Sequence, residues 1–239
     1  MSINFNKKKV LVIGLGETGQ SALHFLANKE CDIQAIDTRP TIDNFETIKE
    51  KFKDVKFTIG KKFNDTIIHD VELIIISPGM SLKESYIQKA LNQGIPVIGD
   101  IEMFAQVKSV SSKVIGITGS NGKTTVTSLV GDLLKAAGIS TIVGGNIGIP
   151  ILNTLNQKAP EVYVLELSSY QLESTYSLAL ETAAVLNISE DHMDRYGSME
   201  EYAKAKYRIF NHAKNIILNR EDDYLKSQIN ESSLTFGTH

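Results

Sequence analysis

The sequence has one cysteine, Cys31, so no intramolecular disulfide is available, which fits a reducing compartment. The residue reads as a core position. No apolar run approaches the ~20 residues that a bilayer span requires. Lys7–Lys9 followed by residues 10–15 imitates a secretory leader, but Gly16-Glu17 cuts the run and no small-residue cleavage site follows. That stretch is better read as a first β-strand, and the expectation is a cytoplasmic protein without a membrane partner. Charge of one sign is also scarce: the formal net charge is −3, and no basic stripe with interleaved aromatics suggests nucleic acid. There is no internal repeat and no low-complexity tail. What remains, 239 residues with 42% hydrophobic and 22% charged, is a globular composition sufficient for one large or two ordinary domains.

The most informative segment that is present is Thr118-Gly119-Ser120-Asn121-Gly122-Lys123-Thr124-Thr125, between the apolar run 114–117 and the helical pattern 126–137. Glycines let such a loop curl its N–H groups inward, the next helix adds its positive end, a lysine reaches the outer phosphates, and a hydroxyl reaches Mg²⁺. The loop departs from GxxxxGK[ST], because the position five before Gly122 is Ile117, so it reads as a tighter subtype that handles a nucleoside triphosphate.

Short apolar runs at 10–13, 33–36, 73–76, 97–98, 114–117, 141–143, 162–165, 183–186 and 216–218 alternate with helical patterns. That rhythm predicts α/β architecture with parallel sheets covered on both faces. A polar, serine-rich seam near 106–113 suggests two nucleotide-type domains in tandem. The expected division is 1–107, Rossmann-like, and 108–239, an α/β domain of the phosphate-loop NTPase type. The expectation is that residues 108–239 make a short, incomplete domain of that type, ending in what reads as another strand and turn.

In the first domain, Gly14-Leu15-Gly16-Glu17-Thr18-Gly19 satisfies GxGxxG, and Asp37 ends the next strand where an acid could meet a ribose hydroxyl. The glycines guarantee only a tight turn with amides for a diphosphate, so NAD, another dinucleotide and a nucleotide-sugar all remain open. Asp37-Thr38-Arg39 and Ser77-Pro78-Gly79 lie at strand carboxyl ends, where open α/β sheets bind ligands; a plain turn is the other reading of Ser-Pro-Gly.

In the second domain, Glu166 follows strand 162–165 at the position of an acid that serves Mg²⁺, the alternative being a solvent-facing glutamate. Asn146 follows a Gly-Gly pair in either a close-approach loop or a simple turn. Residues 187–196 pack three acids, His192 and Arg195 into one polar loop. Glu190 and Asp191 could cap the next helix, and His192 could ligate metal or bind an amide. The helix expected over 199–212 carries Lys204, Lys206 and Arg208, which would ordinarily form a solvated face.

Taken in order along nearly the whole chain, GLGETG, DTR, SPG, GDIEMF, TGSNGKTT, GGNIG, LELSSYQL, NISEDHMDRY and YAKAKYRI resemble the Mur ligase family. The N-terminal GLGETG with DTR and SPG is most similar to the branch that adds D-glutamate. The resemblance implies ATP-dependent amide-bond formation in peptidoglycan precursor synthesis, with UDP-N-acetylmuramoyl-L-alanine as acceptor and an acyl-phosphate intermediate. It implies ATP on Gly119–Thr125, catalytic roles for Lys123, Glu166, His192 and Lys206, and Mg²⁺ on Thr124 and Glu166, with a second ion on His192 and a carbamylated Lys206. It places Glu17, Thr18, Asp37, Thr38, Arg39, Ser77 and Gly79 around the uridine diphosphate, with Asn146, Ser168 and His192 nearer the muramoyl end. Family members also carry the rest of the central domain and a carboxy-terminal domain for D-glutamate, so the expectation is a truncated form unable to turn over alone. A sibling ligase, a non-catalytic nucleotide-sugar module and an NAD-dependent oxidoreductase are the alternatives.

Overall fold

The computed structural model describes residues 3–238. The chain divides into two compact units, Met1–Gln106 and Val107–His239. The first is built from β1 (Lys9–Ile13), α1 (Glu17–Leu26), β2 (Asp32–Asp37), α2 (Phe45–Lys51), β3 (Lys56–Ile59), β4 (Leu73–Ile76), α3 (Ser85–Asn92), β5 (Val97–Ile98) and α4 (Asp100–Val107), the last residue of which crosses the division. The second contains β6 (Lys113–Thr118), α5 (Lys123–Ala136), β7 (Thr141–Gly145), β8 (Val162–Glu166), α6 (Ser169–Glu173), β9 (Leu180–Val185), α7 (Met199–Tyr207), β10 (Ala213–Asn219), α8 (Asp223–Lys226) and β11 (Leu234–Phe236).

Both sheets are parallel throughout, in the orders β3-β2-β1-β4-β5 and β11-β10-β9-β6-β8-β7. Parallel strands need crossovers, and the helices between them supply both the crossover and the cover. In the first unit Leu11, Ile13, Ile36, Ile74 and Ile76 pack with Tyr86, Ile87 and Ala90 of α3. Side chains alternate along β1, so Val10 and Val12 face the other way, and α1 buries Ala22, Leu23 and Leu26. In the second unit Ile117, Val162, Val164 and Ala184 pack under Val126, Val130 and Leu134 of α5.

The chain order places β1 between strands reached by opposite turns of the chain, β2 on one side and β4 on the other; β6 sits likewise between β8 and β9. Those reversals open crevices at the strand carboxyl ends, the places where open sheets take ligands. Every sequence-predicted strand forms. β3, not expected from sequence, also forms: as an edge strand with the pattern Lys-Phe-Thr-Ile it is only half-buried and shows no continuous apolar run. Helix boundaries differ more. The helical pattern after the glycine turn reads from the sequence as Ser21–Lys29, but α1 starts at Glu17, directly from that turn, and α7 stops at Tyr207 before a 3₁₀ turn at Arg208–Phe210. Cys31 is half-buried ahead of β2, with its thiol donating to the Phe5 carbonyl at 2.9 Å, rather than a core residue. Among the described residues no helix is long and apolar enough to cross a membrane.

The glycine turn after β1 is a packing device. A Cβ on Gly19 would lie 1.8 Å from the Gly14 carbonyl oxygen, whereas one on Gly16 would meet nothing within 4 Å. Gly19→Ala should therefore cost the first unit about 3 kcal/mol, as an overpacked site with no side chain free to move aside. Gly16→Ala should change stability by no more than about 1 kcal/mol. Urea denaturation of the two variants reads the contrast directly.

Candidate functional site

At the carboxyl end of the first sheet Asp37 ends β2, while Gly14 and Ser77 directly follow the adjacent strands β1 and β4. The Ser77 amide donates to Ile13 O and its hydroxyl to Gly14 O, tying the Ser-Pro-Gly turn to the glycine turn. Asp37 is 4% exposed and has both oxygens engaged. Oδ1 accepts the Arg39 amide and Nε–H, both at 2.9 Å; Oδ2 accepts the Leu15 amide at 2.8 Å and Arg39 Nη2 at 2.6 Å. Burial alone would raise the carboxyl, but the hydrogen bonds from the Arg39 side chain and the Leu15 and Arg39 amides outweigh it and hold it below its usual range. An acid so occupied has no lone pair to offer a ribose hydroxyl in this arrangement, which removes the principal support for the NAD reading. Arg39, with its side chain about half exposed, is instead oriented by Asp37. Glu17, Thr38 and Gly79 are solvent-facing and Thr18 is partly buried, all at this same end of the sheet.

In the second unit, ladder register decides the site. Glu166, the last residue of β8, lies opposite Ile117 of β6 and Gly145 of β7. A Cβ on Gly145 would fall 2.2 Å from Glu166 O, and its φ of +99° is open to glycine. This close approach lets the next residue, Asn146, donate its amide to Glu166 O and its Nδ2 to Glu166 Oε1, each at 2.8 Å. Thr124 Oγ1 donates to Glu166 Oε2 at 2.7 Å. Glu166 is 2% exposed, so it is not the solvent-facing glutamate of the alternative reading, and Asn146 is more than a turn residue.

Gly122 caps α5 in the left-handed region with φ +76°, and the N–H groups of the helix's first turn have no intrahelical acceptors. Together with the helix dipole they form a ready anion site. Gly119 packs against Leu186, and Thr125 is exposed on the first turn of α5. Lys123 Nζ donates to Ser120 O at 2.8 Å. The Ser120 hydroxyl donates to Ser189 O, accepts the Ser189 amide and meets Tyr202 OH at 3.1 Å.

Lys206 contradicts the expectation of a solvated helix face. It is 1% exposed, its Nζ donates to Gly119 O at 2.9 Å and it lies 4.6 Å from the Tyr202 ring centroid. Burial, then the neighbouring Lys123 charge, pulls its amine down to about 7, against the opposing pull of Asp191 and Glu166. Arg208 is also engaged, donating to Leu172 O and Thr175 O, which leaves Lys204 as the solvated cation of the three. The helical pattern put Lys206 two residues from Lys204, and at 100° per residue that spacing places the two on different faces.

His192 adopts φ +57° in the loop, faces Asp191 Oδ2 at 3.4 Å and packs its ring on Tyr170 at 4.8 Å between centroids. Glu190 and Asp191 do not cap α7; Ser198 does, by accepting the Glu201 amide. Ser168 is spent on a capping box with Gln171 at the start of α6. His192 and Lys206 both pack on Tyr202 rather than on each other, with the His192 and Tyr202 rings 6.3 Å apart. Among the described residues no three His, Cys, Asp or Glu side chains gather as a metal cluster. The Thr124 hydroxyl and Glu166 carboxylate are nevertheless two hard oxygen donors in contact beside the anion site, a donor set that suits Mg²⁺. Tyr202 and Tyr170, which hold Ser120, Lys206 and His192, carried no sequence signal beyond their place in the family-like motifs.

Comparison with known proteins follows this geometry. The Mur ligase middle-domain family matches residues 117–239, and the N-terminal domain of Mur ligases of the MurD-like type matches residues 8–99. The chain belongs to the Mur ligase family. It is 47% identical over 237 residues to the UDP-N-acetylmuramoylalanine--D-glutamate ligase of Methylobacillus flagellatus, covering 98% of this chain and 52% of that protein. It is likewise 47% identical to the enzyme of the same name from Pasteurella multocida, covering 99% of this chain and 53% of that protein. The chain thus spans about half the length of the curated relatives it matches. Among solved structures, the UDP-N-acetylmuramate:L-alanyl-gamma-D-glutamyl-meso-diaminopimelate ligase from Neisseria meningitides aligns with TM-score 0.61 at 18% identity, over 97% of this chain and 78% of that one. The Thermotoga maritima UDP-N-acetylmuramate-alanine ligase MurC aligns with TM-score 0.51 at 20% identity, over 97% and 53%. These two likenesses concern the Mur ligase fold alone.

The buried Lys206 makes the stability of this Mur ligase chain depend on pH. Its amine titrates near 7 when folded and at its ordinary 10.5 when unfolded, so between those values the unfolded state binds more protons and stability rises with pH. Lys206→Met should flatten that rise by a few kcal/mol relative to the unaltered chain. Denaturant titrations from pH 7 to 10 in CO₂-depleted buffer check it.

Proposed function

We propose that this chain provides the sugar-nucleotide and ATP sites of a ligase that joins D-glutamate to UDP-N-acetylmuramoyl-L-alanine. The observation that carries the reading is the 47% identity to relatives of that name over 98% of the chain, running through both ligand-facing sheet ends. In this reading the L-alanyl carboxylate takes the γ-phosphoryl of ATP, and the amine of D-glutamate displaces phosphate from the acyl phosphate.

The residues have separable tasks. In the first unit Arg39, held by Asp37, faces the diphosphate as a guanidinium with a fixed direction, beside the amides of the glycine turn. Glu17, Thr18, Thr38, Ser77 and Gly79 line the same end around the uridine diphosphate. In the second unit the N-terminus of α5 takes the triphosphate, and Lys123 swings from Ser120 O to the phosphoryl group in transfer. Thr124 and Glu166 would hold Mg²⁺, which when bound neutralises charge on the phosphoryl oxygens. Asn146 fixes the Glu166 carboxylate from its other oxygen, and Ser168, by similarity, lies toward the muramoyl end.

Lys206 is proposed to react with CO₂. An amine near 7 is about half unprotonated at neutral pH, where an ordinary lysine is almost wholly protonated, and only the unprotonated form adds CO₂. The resulting carbamate would supply anionic oxygens toward a second metal ion shared with His192. Intact-protein mass spectrometry or ¹³C NMR under ¹³CO₂ should show one carbamate lost in Lys206→Met; an unmodified Lys206 in an active, Mg²⁺-bound protein would remove the assignment.

Calorimetry tests the main reading. UDP-N-acetylmuramoyl-L-alanine should bind saturably and NAD should not. Arg39→Ala should weaken the sugar nucleotide tenfold or more, the worth of a lost charged hydrogen bond at about 2 kcal/mol, while ATP binding changes less than twofold. Equal losses for both ligands, or binding of NAD instead, would count against the assignment.

A further inference from the structure

A phosphate loop that turns its N–H groups toward an anion must turn its carbonyls the other way, where each needs a donor. Three successive carbonyls here find one. Gly119 O accepts Lys206 Nζ at 2.9 Å, Ser120 O accepts Lys123 Nζ at 2.8 Å, and Asn121 O accepts Asn187 Nδ2 at 3.0 Å. The first two donors are cations to which the proposed chemistry gives other work, Lys123 at the phosphoryl group and Lys206 as a carbamate. Asn187 is neutral and has no such call on it.

Its other contacts are of the same kind. Asn187 Oδ1 accepts the Asn121 amide at 2.8 Å, so its carboxamide engages both polar groups of the Asn121 backbone as a neighbouring strand would. Its backbone carbonyl accepts the Ser120 amide at 2.9 Å, one step beyond the Leu186 amide bond to Thr118 O. β9 therefore extends its pairing with β6 into the loop, first by backbone and then by side chain. The Asn121 side chain adds a bond to Ser189 Oγ at 3.1 Å.

We infer that Asn187 is a positioning residue that holds the phosphate loop in its anion-receiving shape, both before nucleotide arrives and after Lys123 has left Ser120. The inference rests on the ATP reading of the loop. It also divides the loop's labour: the amides of Ser120 and Asn121 are used by Asn187, and the cradle for phosphate is left to the N–H groups from Gly122 through Thr125.

The test uses the full chain with Asn187→Ala, which removes the carboxamide, and Asn187→Leu, which removes its hydrogen bonds but keeps its volume. In ligand-free protein, amide exchange at Asn121 followed by NMR should quicken at least tenfold in both. By calorimetry, affinity for AMP-PNP with Mg²⁺ should fall at least tenfold, while affinity for UDP-N-acetylmuramoyl-L-alanine stays within twofold. Unchanged exchange at Asn121, or unchanged AMP-PNP affinity beside an unaltered chain that binds it, would overturn the inference. So would equal losses for both ligands, or unfolding of both variants by circular dichroism, because either makes Asn187 a general structural residue. If the unaltered chain binds no AMP-PNP, the ATP reading fails separately, and exchange at Asn121 alone decides the role of Asn187.

Discussion

The pairing of β6 with β8 on one side and β9 on the other is the constraint on which the second unit depends. Parallel register brings the carboxyl ends of three strands level, so Glu166 and Asn187 emerge on either side of the phosphate loop, each within hydrogen-bond reach of it. None of these groups needs a special loop to travel to its partner. A slip of one residue along β8 would turn Glu166 to the opposite face of the sheet and out of reach of Thr124.

Burial then changes what the side chains at that edge can do. Lys206 and Glu166 are both almost wholly buried yet belong to a polar network instead of the core. A low-dielectric setting strengthens each satisfied contact and penalises each unsatisfied charge. Aromatic side chains supply much of that setting: Tyr202 lies against Lys206 and Ser120, Tyr170 against His192, and Arg195 sits 4.0 Å from the Tyr170 ring centroid while pairing with Glu173. The polar centre is wrapped by rings, and the Tyr202 hydroxyl still answers one of its hydrogen bonds, with Ser120.

Much of this was legible in the sequence. The strands were, because two-faced burial in parallel sheets writes continuous apolar runs; the exception, β3, is an edge strand with no second neighbour to demand one. The phosphate loop was legible from its glycines and lysine. Other features depend on contacts across long sequence separations, and no local pattern reports them. The role of Asp37 could not be read because its partners include the Leu15 amide, 22 residues away. The depth of Lys206 could not, because the groups that bury it come from β6 and its loop, nearly ninety positions upstream. Asn187 stood in a family-like motif without a task, since an asparagine that imitates a strand resembles, in sequence, any asparagine in a polar loop.

The inward turn of Asp37 has a consequence for how glycine fingerprints discriminate ligands. With the carboxylate neutralised from within, the end of β2 no longer projects a negative charge, and what it projects instead is a guanidinium. The charge of the acid is thereby cancelled, and the positive end of the pair lies outermost, with no change in backbone, glycines or strand order. Two proteins could share the whole turn and the acid after it, yet attract opposite ligand groups, according to whether an arginine stands two residues beyond that acid.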